Sequence, residues 1–165
     1  MATEIERKYL LARPPDLEAI AAAGDVDTVE IEQRYLDAPP GVERRVRRQR
    51  YGDGRTTYVL TEKRAVPGTS LEREESERTI SAAGYEAAVE GTTGAPIRKR
   101  RHRFTCDGQR FELDEFLEPV QAWLLEIELA AGDVEVRLPE LLAVDREVTD
   151  DPAWRNAAIA AKGAG

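Results

Sequence analysis

Charged side chains recur at every second position in stretch after stretch of this chain, and most are bunched by sign. Glu4, Glu6 and Lys8 alternate with Ile5, Arg7 and Tyr9 near the N-terminus. Later come Glu43/Arg45/Arg47, Arg73/Glu75/Glu77, Lys99/Arg101/Arg103, Glu112/Asp114 and Glu126/Glu128. Residues i and i+2 of a strand share one face, so each set lines one side of a strand. An ordinary half-buried strand mixes Thr, Ser, Lys and Glu freely on its polar face. Here like charges stand side by side, which repels unless a counter-charge lies between them. Any fold for this chain has to supply that counter-charge.

The alternation predicts eight strands, at roughly 3–12, 29–37, 42–51, 56–64, 71–80, 97–106, 109–117 and 123–130. Turn residues separate several of them: Gly52-Asp53-Gly54, Pro67-Gly68 and Asp107-Gly108, the last a strong hairpin signal. Three short helices are expected. One runs from Pro14-Pro15-Asp16 to Gly24, one follows Ser81 and stops near Gly91, and one follows Asp151-Pro152, a good N-cap and first-turn pair. Residues 133–144 read equally as strand or helix. The whole suits one domain, mainly β (α+β), built as a sandwich or a closed antiparallel barrel with short peripheral helices.

Turn chemistry fixes the expected registers. A two-residue Asp107-Gly108 loop sets Arg103 opposite Glu112 and Arg101 opposite Asp114. A three-residue Gly52–Gly54 loop with Gly54 left-handed sets Glu43 opposite Lys63 and Arg45 opposite Thr61. If residues 118–122 form the next loop, Asp114 faces Glu126 and Glu112 faces Glu128, and four carboxylates meet.

Such carboxylates can point to water, be protonated, or bind divalent cations. With the charged face in water, Ile5, Tyr9, Val46, Leu60, Leu113, Leu125, Ile127 and Leu129 would form the only core, as in a sandwich. Yet the other face also carries Arg7, Arg44, Arg48, Glu62 and Glu74. A barrel with a hydrated, charged lumen accommodates charge on both faces. The candidate lumen holds eight bases (Lys8, Arg45, Arg47, Lys63, Arg73, Lys99, Arg101, Arg103) and nine acids (Glu4, Glu6, Glu43, Glu75, Glu77, Glu112, Asp114, Glu126, Glu128). Carboxylate oxygens suit hard cations such as Mg²⁺ or Mn²⁺. Arrayed Arg and Lys suit a polyanion, with guanidinium forks matching phosphate oxygens. Two divalent ions add about four positive charges, and a triphosphate carries about as many negative ones. Each half of the lining makes electrostatic sense with the other half's guest.

Composition narrows the function classes. The 165 residues carry 24 Lys+Arg against 32 Asp+Glu, a formal net charge of −8, which argues against nucleic-acid binding. There is no apolar run long enough for a membrane span, and the charged opening does not read as a signal peptide. The single cysteine, Cys106, fits a cytoplasmic setting. His102 alternates to the face opposite Arg101 and Arg103, beside Leu113, away from any chemistry. Trp123 and Trp154 read as core or cover.

The opening EIERKYL resembles the ExExK signature of the CYTH superfamily, the triphosphate tunnel metalloenzymes. ERRVRR, TEK, REESE, RKR, ELDEF and LLEIEL follow in the family's order, and REVTDDPAWRNAAIA resembles its C-terminal helix entry. The resemblance spans nearly the whole chain and is strongest to short bacterial inorganic triphosphatases. It implies an eight-stranded antiparallel tunnel and a Mg²⁺- or Mn²⁺-dependent reaction on a small-molecule triphosphate, with two ions. By residue matching it implies Glu4, Glu6, Glu126 and Glu128 as metal ligands, with Glu112 and Asp114 nearby. It implies Arg45, Arg47, Lys63, Arg73, Lys99 and Arg101 as the phosphate grip. Lys8 is then a catalytic residue that positions the attacking water, with Tyr35 as a hydrogen-bonding partner. Hydrolysis of inorganic triphosphate to diphosphate and phosphate is the leading expectation, by a monomer or homodimer. A class IV-type adenylate cyclase or a nucleoside or thiamine triphosphatase are alternatives in the same tunnel. A non-catalytic polyphosphate-binding module is the alternative outside enzymes.

Overall fold

A computed structural model describes residues 2–69, 72–92 and 94–163. Nine strands appear in order: β1 (Ala2–Leu11), β2 (Val26–Leu36), β3 (Val42–Tyr51), β4 (Thr56–Ala65), β5 (Glu72–Ile80), β6 (Ile97–Cys106), β7 (Gln109–Glu118), β8 (Ala122–Glu128) and β9 (Val144–Glu147). Helices α1 (Leu17–Ala23), α2 (Ala82–Glu90) and α3 (Asn156–Lys162) punctuate them, with a 3₁₀ turn at Pro152–Trp154 ahead of α3. Asp16 and Ser81 cap α1 and α2 as the sequence predicts, whereas Asp151 caps the 3₁₀ turn and α3 itself starts after Arg155 without a side-chain cap. Ala19 N donates to Asp16 Oδ1 and Gly84 N to Ser81 Oγ, each at 3.0 Å, while Ala153 N donates to Asp151 Oδ1 at 3.0 Å. Among the described residues no helix is long and apolar enough to cross a membrane.

Antiparallel pairing runs β5-β4-β3-β2-β6-β7-β8-β1, and β5 returns to β1 to close an eight-stranded barrel. Among the described residues that seam runs from Ala2 opposite Glu75 to Ile5 opposite Glu72. Farther along β1, β9 pairs with Tyr9, Leu10 and Leu11. The hairpin registers follow the turn chemistry. Asp107 and Gly108 have φ of 49° and 74°, the left-handed pair a two-residue hairpin requires, and Arg101 lies opposite Asp114. Gly54 has φ of 87°, and Glu43 lies opposite Lys63 and Arg45 opposite Thr61.

The β7–β8 register differs from expectation. Glu112 pairs with Glu126, and Asp114 pairs with Leu124 rather than Glu126. Phe116, Val120 and Leu124 join one apolar cluster, and Phe116 sits opposite Ala122. Five residues still separate the flanking pair, Phe116 and Ala122, so the loop is displaced by one residue, and the register moves by an even number that leaves every side chain on its expected face. Carboxylates still meet across strands, but as Glu112 with Glu126 and Glu6 with Glu128.

The bore is not charged throughout. Its inward positions are ionic at one end, while Leu10, Tyr35, Ile97, Phe116 and Leu124 are apolar at the other. There they pack with Val148 and with Ile159 and Ala160 of α3. The C-terminal helix therefore plugs one end of the barrel. A second cluster lies outside, where Ile5, Tyr9, Phe111, Leu113, Leu125 and Ile127 are covered by Ile20 of α1 and by Leu142. Residues 133–143 form neither strand nor helix. Val134 and Val136 pack on that outer cluster, and the backbone is pinned to the β6–β7 hairpin: Gln109 Nε2 donates to Glu135 O at 2.8 Å and Arg137 N donates to Gln109 Oε1 at 2.8 Å. This stretch covers the barrel and takes no part in closing it.

The outer charges of β2, β3, β4 and β6 pair with one another. Arg44 bonds Glu62 at 3.1 Å, and Glu32 accepts from Arg48 at 3.1 Å, Arg98 at 3.2 Å and the Tyr85 hydroxyl of α2 at 3.3 Å. His102 faces outward too, hydrogen-bonded to Thr28 Oγ1 at 3.0 Å and stacked on Trp123.

Candidate active site

The ionic half of the bore encloses a cavity of about 290 Å³. Its acids are Glu4 and Glu6 of β1, Glu75 and Glu77 of β5, Glu112 of β7, and Glu126 and Glu128 of β8. Its bases are Arg45 and Arg47 of β3, Lys63 of β4, and Arg101 and Arg103 of β6. A narrower opening of about 40 Å³ adjoins it, where Lys8, Glu43, Arg73, Thr149 and Arg155 join Glu4, Glu6, Arg45, Lys63 and Asn156. Strand order explains the sorting: β7, β8, β1 and β5 stand consecutively around the barrel and form an acidic wall, while β4 and β3 lie beyond β5, and β6 borders β7.

Of the residues expected in the site, Glu4, Glu6, Arg45, Arg47, Lys63, Arg101, Glu112, Glu126 and Glu128 line the larger cavity, and Lys8 and Arg73 line the side opening. Lys99 and Asp114 lie behind the wall, with side chains fully buried. Asp114 is saturated by cations. It accepts from Lys99 Nζ at 2.7 Å and from Arg101 Nε and Nη2 at 2.7 and 2.8 Å. Arg101 reaches on to Glu112 at 3.0 Å and Glu126 at 3.4 Å. Tyr35 lies at the edge of the apolar plug, where its hydroxyl accepts from Gln33 Nε2 at 3.3 Å. No hydrogen bond between Tyr35 and Lys8 is found among the described residues; Lys8 pairs with Glu6 at 3.3 Å and Glu126 at 3.7 Å.

Gln33, Gln49, Tyr51, Thr149, Arg155 and Asn156 are additions that sequence reasoning missed. Gln33 is fully buried and accepts from Arg47 Nε at 2.9 Å, and Tyr51 donates from its hydroxyl to Gln49 at 2.9 Å. Alternation from Arg45 and Arg47 would have found Gln49 and Tyr51. Thr149, Arg155 and Asn156 carry no such signal, because only the path of the chain into α3 brings them to the bore.

The electrostatics show what the walls lack. Burial opposes the Lys8 ammonium, but Glu6 and Glu126 more than offset it and hold its pKa above the ordinary value. Burial, then Glu4, Glu75 and Glu6, raise the Glu128 carboxyl. Glu126 Oε1 is buried with no hydrogen-bond partner among the described residues. On the basic side Arg45 Nε is likewise buried and unpartnered. Burial, then Arg45 and Arg101, push Arg47 down to about 10. Glu126 and Glu128 on the acidic wall are short of cations and Arg47 on the basic wall is short of anions, whereas, against burial, Lys8 and Lys63 hold Glu6 below its ordinary value and Tyr35 and Glu43 hold Arg45 above it. Among the described residues, no three His, Cys, Asp or Glu side chains stand close enough to grip a metal as they lie. The oxygen-only donor set with an orphaned carboxylate oxygen nevertheless fits a hard divalent cation better than it fits the present lysine partners.

Sharing one carboxylate between two buried cations has a measurable consequence. Burial, together with Arg101 and Arg47, outweighs the pull of Asp114 and brings Lys99 down to about 7. Asp114 itself is held well below the carboxylate range by Arg101 and Lys99, against the effect of burial. A lysine depressed on folding binds fewer protons in the folded state than in the unfolded one. Its charged form therefore burdens the fold at pH 7 and below, and the burden is relieved as pH rises from about 7 toward its ordinary 10.5. The stability difference between wild type and Lys99→Met, measured by urea unfolding, should shift in favour of wild type between pH 7 and pH 9. A pH-independent difference would contradict this.

A family model described as the CYTH domain matches residues 2–140. Among solved structures, the inorganic triphosphatase NE1496 is 32% identical over 97% of this chain and 95% of its own, with a TM-score of 0.61. The PH1819 protein from Pyrococcus horikoshii OT3 is 20% identical over 79% of this chain and 80% of its own, with a TM-score of 0.61. An adenylyl cyclase candidate from Hippeastrum, HpAC1, described as having a dominant triphosphatase activity, is 18% identical over 78% of this chain and 80% of its own, with a TM-score of 0.52. The last two likenesses are of fold. No curated protein matches the sequence. The barrel, its sorted bore and a relative alike from end to end agree with the family model: the chain belongs to the CYTH domain family.

Proposed function

We propose that this protein is a metal-dependent triphosphatase that hydrolyses inorganic triphosphate to diphosphate and orthophosphate. The observation that carries the reading is the bore itself, one cavity whose acidic wall has Glu126 and Glu128 short of cations and whose basic wall has Arg47 short of anions. The likeness to the inorganic triphosphatase NE1496 supports it. Glu4, Glu6, Glu126 and Glu128, with Glu112, would hold two Mg²⁺ or Mn²⁺ ions. Such ions supply charge neutralisation and Lewis-acid polarisation of phosphate oxygens. Arg45, Arg47, Lys63, Arg73 and Arg101 grip the phosphate chain and orient it along the bore. Asp114 and Lys99 act from behind: Asp114 takes both forks of Arg101 and aims its remaining donor at the cavity, so we assign it a positioning role in place of the metal ligation expected from sequence. Lys8, protonated throughout the neutral range, donates hydrogen bonds to water or phosphate and does not serve as a base.

The test is to incubate the purified protein with Mg²⁺ or Mn²⁺ and inorganic triphosphate, ATP, thiamine triphosphate or long polyphosphate, following phosphate, diphosphate and cyclic AMP. Phosphate and diphosphate from triphosphate are expected. Cyclic AMP as the only product would establish a cyclase, and thermal stabilisation by polyphosphate without turnover would establish a binding module. A purine has little to stack on here, since Tyr51 is the one aromatic side chain lining the larger cavity among the described residues. In the same assay Glu6→Gln should raise the Mg²⁺ concentration for half-maximal rate by about tenfold or more. An unchanged metal requirement would remove Glu6 from the cation set.

A further inference from the structure

Among the described residues β5 pairs with β1 through Ala2–Ile5, and β9 pairs with the same strand from Tyr9 onward. On that edge Val148 N donates to Lys8 O at 2.8 Å and Lys8 N donates to Thr149 Oγ1 at 3.0 Å. The chain then turns into α3, whose first residue, Asn156, is 9% exposed and lines both the larger cavity and the side opening. The two spaces differ in sign. Seven carboxylates face five cationic side chains in the larger cavity, whereas three carboxylates face five cationic side chains in the side opening. The side chains of the smaller space can therefore stabilise a phosphate terminus by themselves.

Asn156 Oδ1 is buried there and has no hydrogen-bond partner among the described residues. The same holds for Nε of Arg45, which lines the same two spaces. An orphaned acceptor and an orphaned donor in one wall call for a guest that donates to the first and accepts from the second. An ionised phosphate and a carboxylate donate nothing to a carbonyl. Water does both.

We propose that Asn156 is a catalytic residue whose side-chain carbonyl accepts a hydrogen bond from the attacking water, at the end of the bore where the terminal phosphate lies. This rests on the triphosphatase reading. The water oxygen bonds to the terminal phosphorus as the bridging P–O bond breaks and its electron pair leaves with diphosphate. One water proton stays on the new orthophosphate and the other ends on diphosphate. Asn156 takes neither; it fixes the direction of the water lone pair.

The test compares wild type, Asn156→Leu and Asn156→Asp with Mg²⁺ and inorganic triphosphate. Asn156→Leu keeps the size and removes the acceptor, so kcat should fall about tenfold, the worth of one oriented hydrogen bond, with KM and the Mg²⁺ requirement unchanged. Asn156→Asp keeps an acceptor, so it should be faster than the Leu variant above the carboxyl pKa and should gain an acid-side limb in its kcat profile that wild type lacks. If Leu is not tolerated at the plug, Asn156→Ala reads the same loss. A Leu or Ala variant with wild-type kcat, an effect confined to KM, or an Asp variant slower than the Leu variant would overturn the assignment while leaving the triphosphatase reading intact. Wild-type protein inactive on triphosphate would overturn both.

Discussion

Asp114→Asn is expected to cost about 3–5 kcal/mol of folding stability, the usual effect of stranding a buried charge by removing its partner. The substitution is nearly isosteric, so the loss isolates charge from packing. Asp114 has no side-chain exposure and is the carboxylate that holds both Lys99 and the inner face of the Arg101 fork. Without its charge Arg101 is left in the wall beside Arg47, and Lys99, already down to about 7, is driven to shed its proton. Urea unfolding at neutral pH measures the loss. Adding Lys99→Met to the same chain should recover part of it, since Lys99 packs over the Phe116 ring and a thioether there is no hardship. A loss below about 1 kcal/mol, or a double variant no better than the single one, would mean that the ionic cluster behind the bore is not organised around Asp114.

Arg47→Met should move stability and binding in opposite directions. Arg47 is 6% exposed, and its one side-chain hydrogen bond among the described residues goes to a neutral amide, Gln33. Burial and its guanidinium neighbours already lower its pKa to about 10, so its charge burdens the protein on its own. Removing it should raise the unfolding temperature by a few degrees, about 2–4 °C for each kcal/mol in a chain of this size. The same charge would contribute strongly to holding a phosphate, where a charge-assisted hydrogen bond is worth about 1.5–3 kcal/mol. KM for triphosphate should therefore rise about ten- to a hundredfold, with a smaller change in kcat. A destabilised variant with an unaltered KM would place Arg47 among the structural residues.

The strand faces were legible because alternation and turn chemistry are local. Asp107-Gly108 and Gly54 fixed two hairpin registers, and these placed Arg101 and Lys63 correctly. The β7–β8 register was not legible, because it depends on Phe116, Val120 and Leu124 packing with a helix far away in sequence. For the same reason residues 133–144 could not be resolved between strand and helix, and 133–143 are neither. Their valines face a cluster on the outside of the barrel, and their backbone bonds to a hairpin rather than to a strand edge. Parity could say that Lys99 and Asp114 point inward but not that they lie behind the wall, since depth along the bore is set by the plug. Asn156 was beyond reach altogether. A helix that closes a barrel announces its apolar face, Ile159 and Ala160, and not the polar residue at its tip.

Calorimetry with a non-hydrolysable imido analogue of triphosphate, run with Mg²⁺ present and with Mg²⁺ chelated, reads the joint demand of the two walls most directly. Cation and phosphate chain should each tighten the other's binding by at least about tenfold, a coupling that is reciprocal by linkage, and Glu6→Gln or Arg47→Met should each weaken it. An analogue that binds equally well without a cation, and undisturbed by either substitution, would contradict the account.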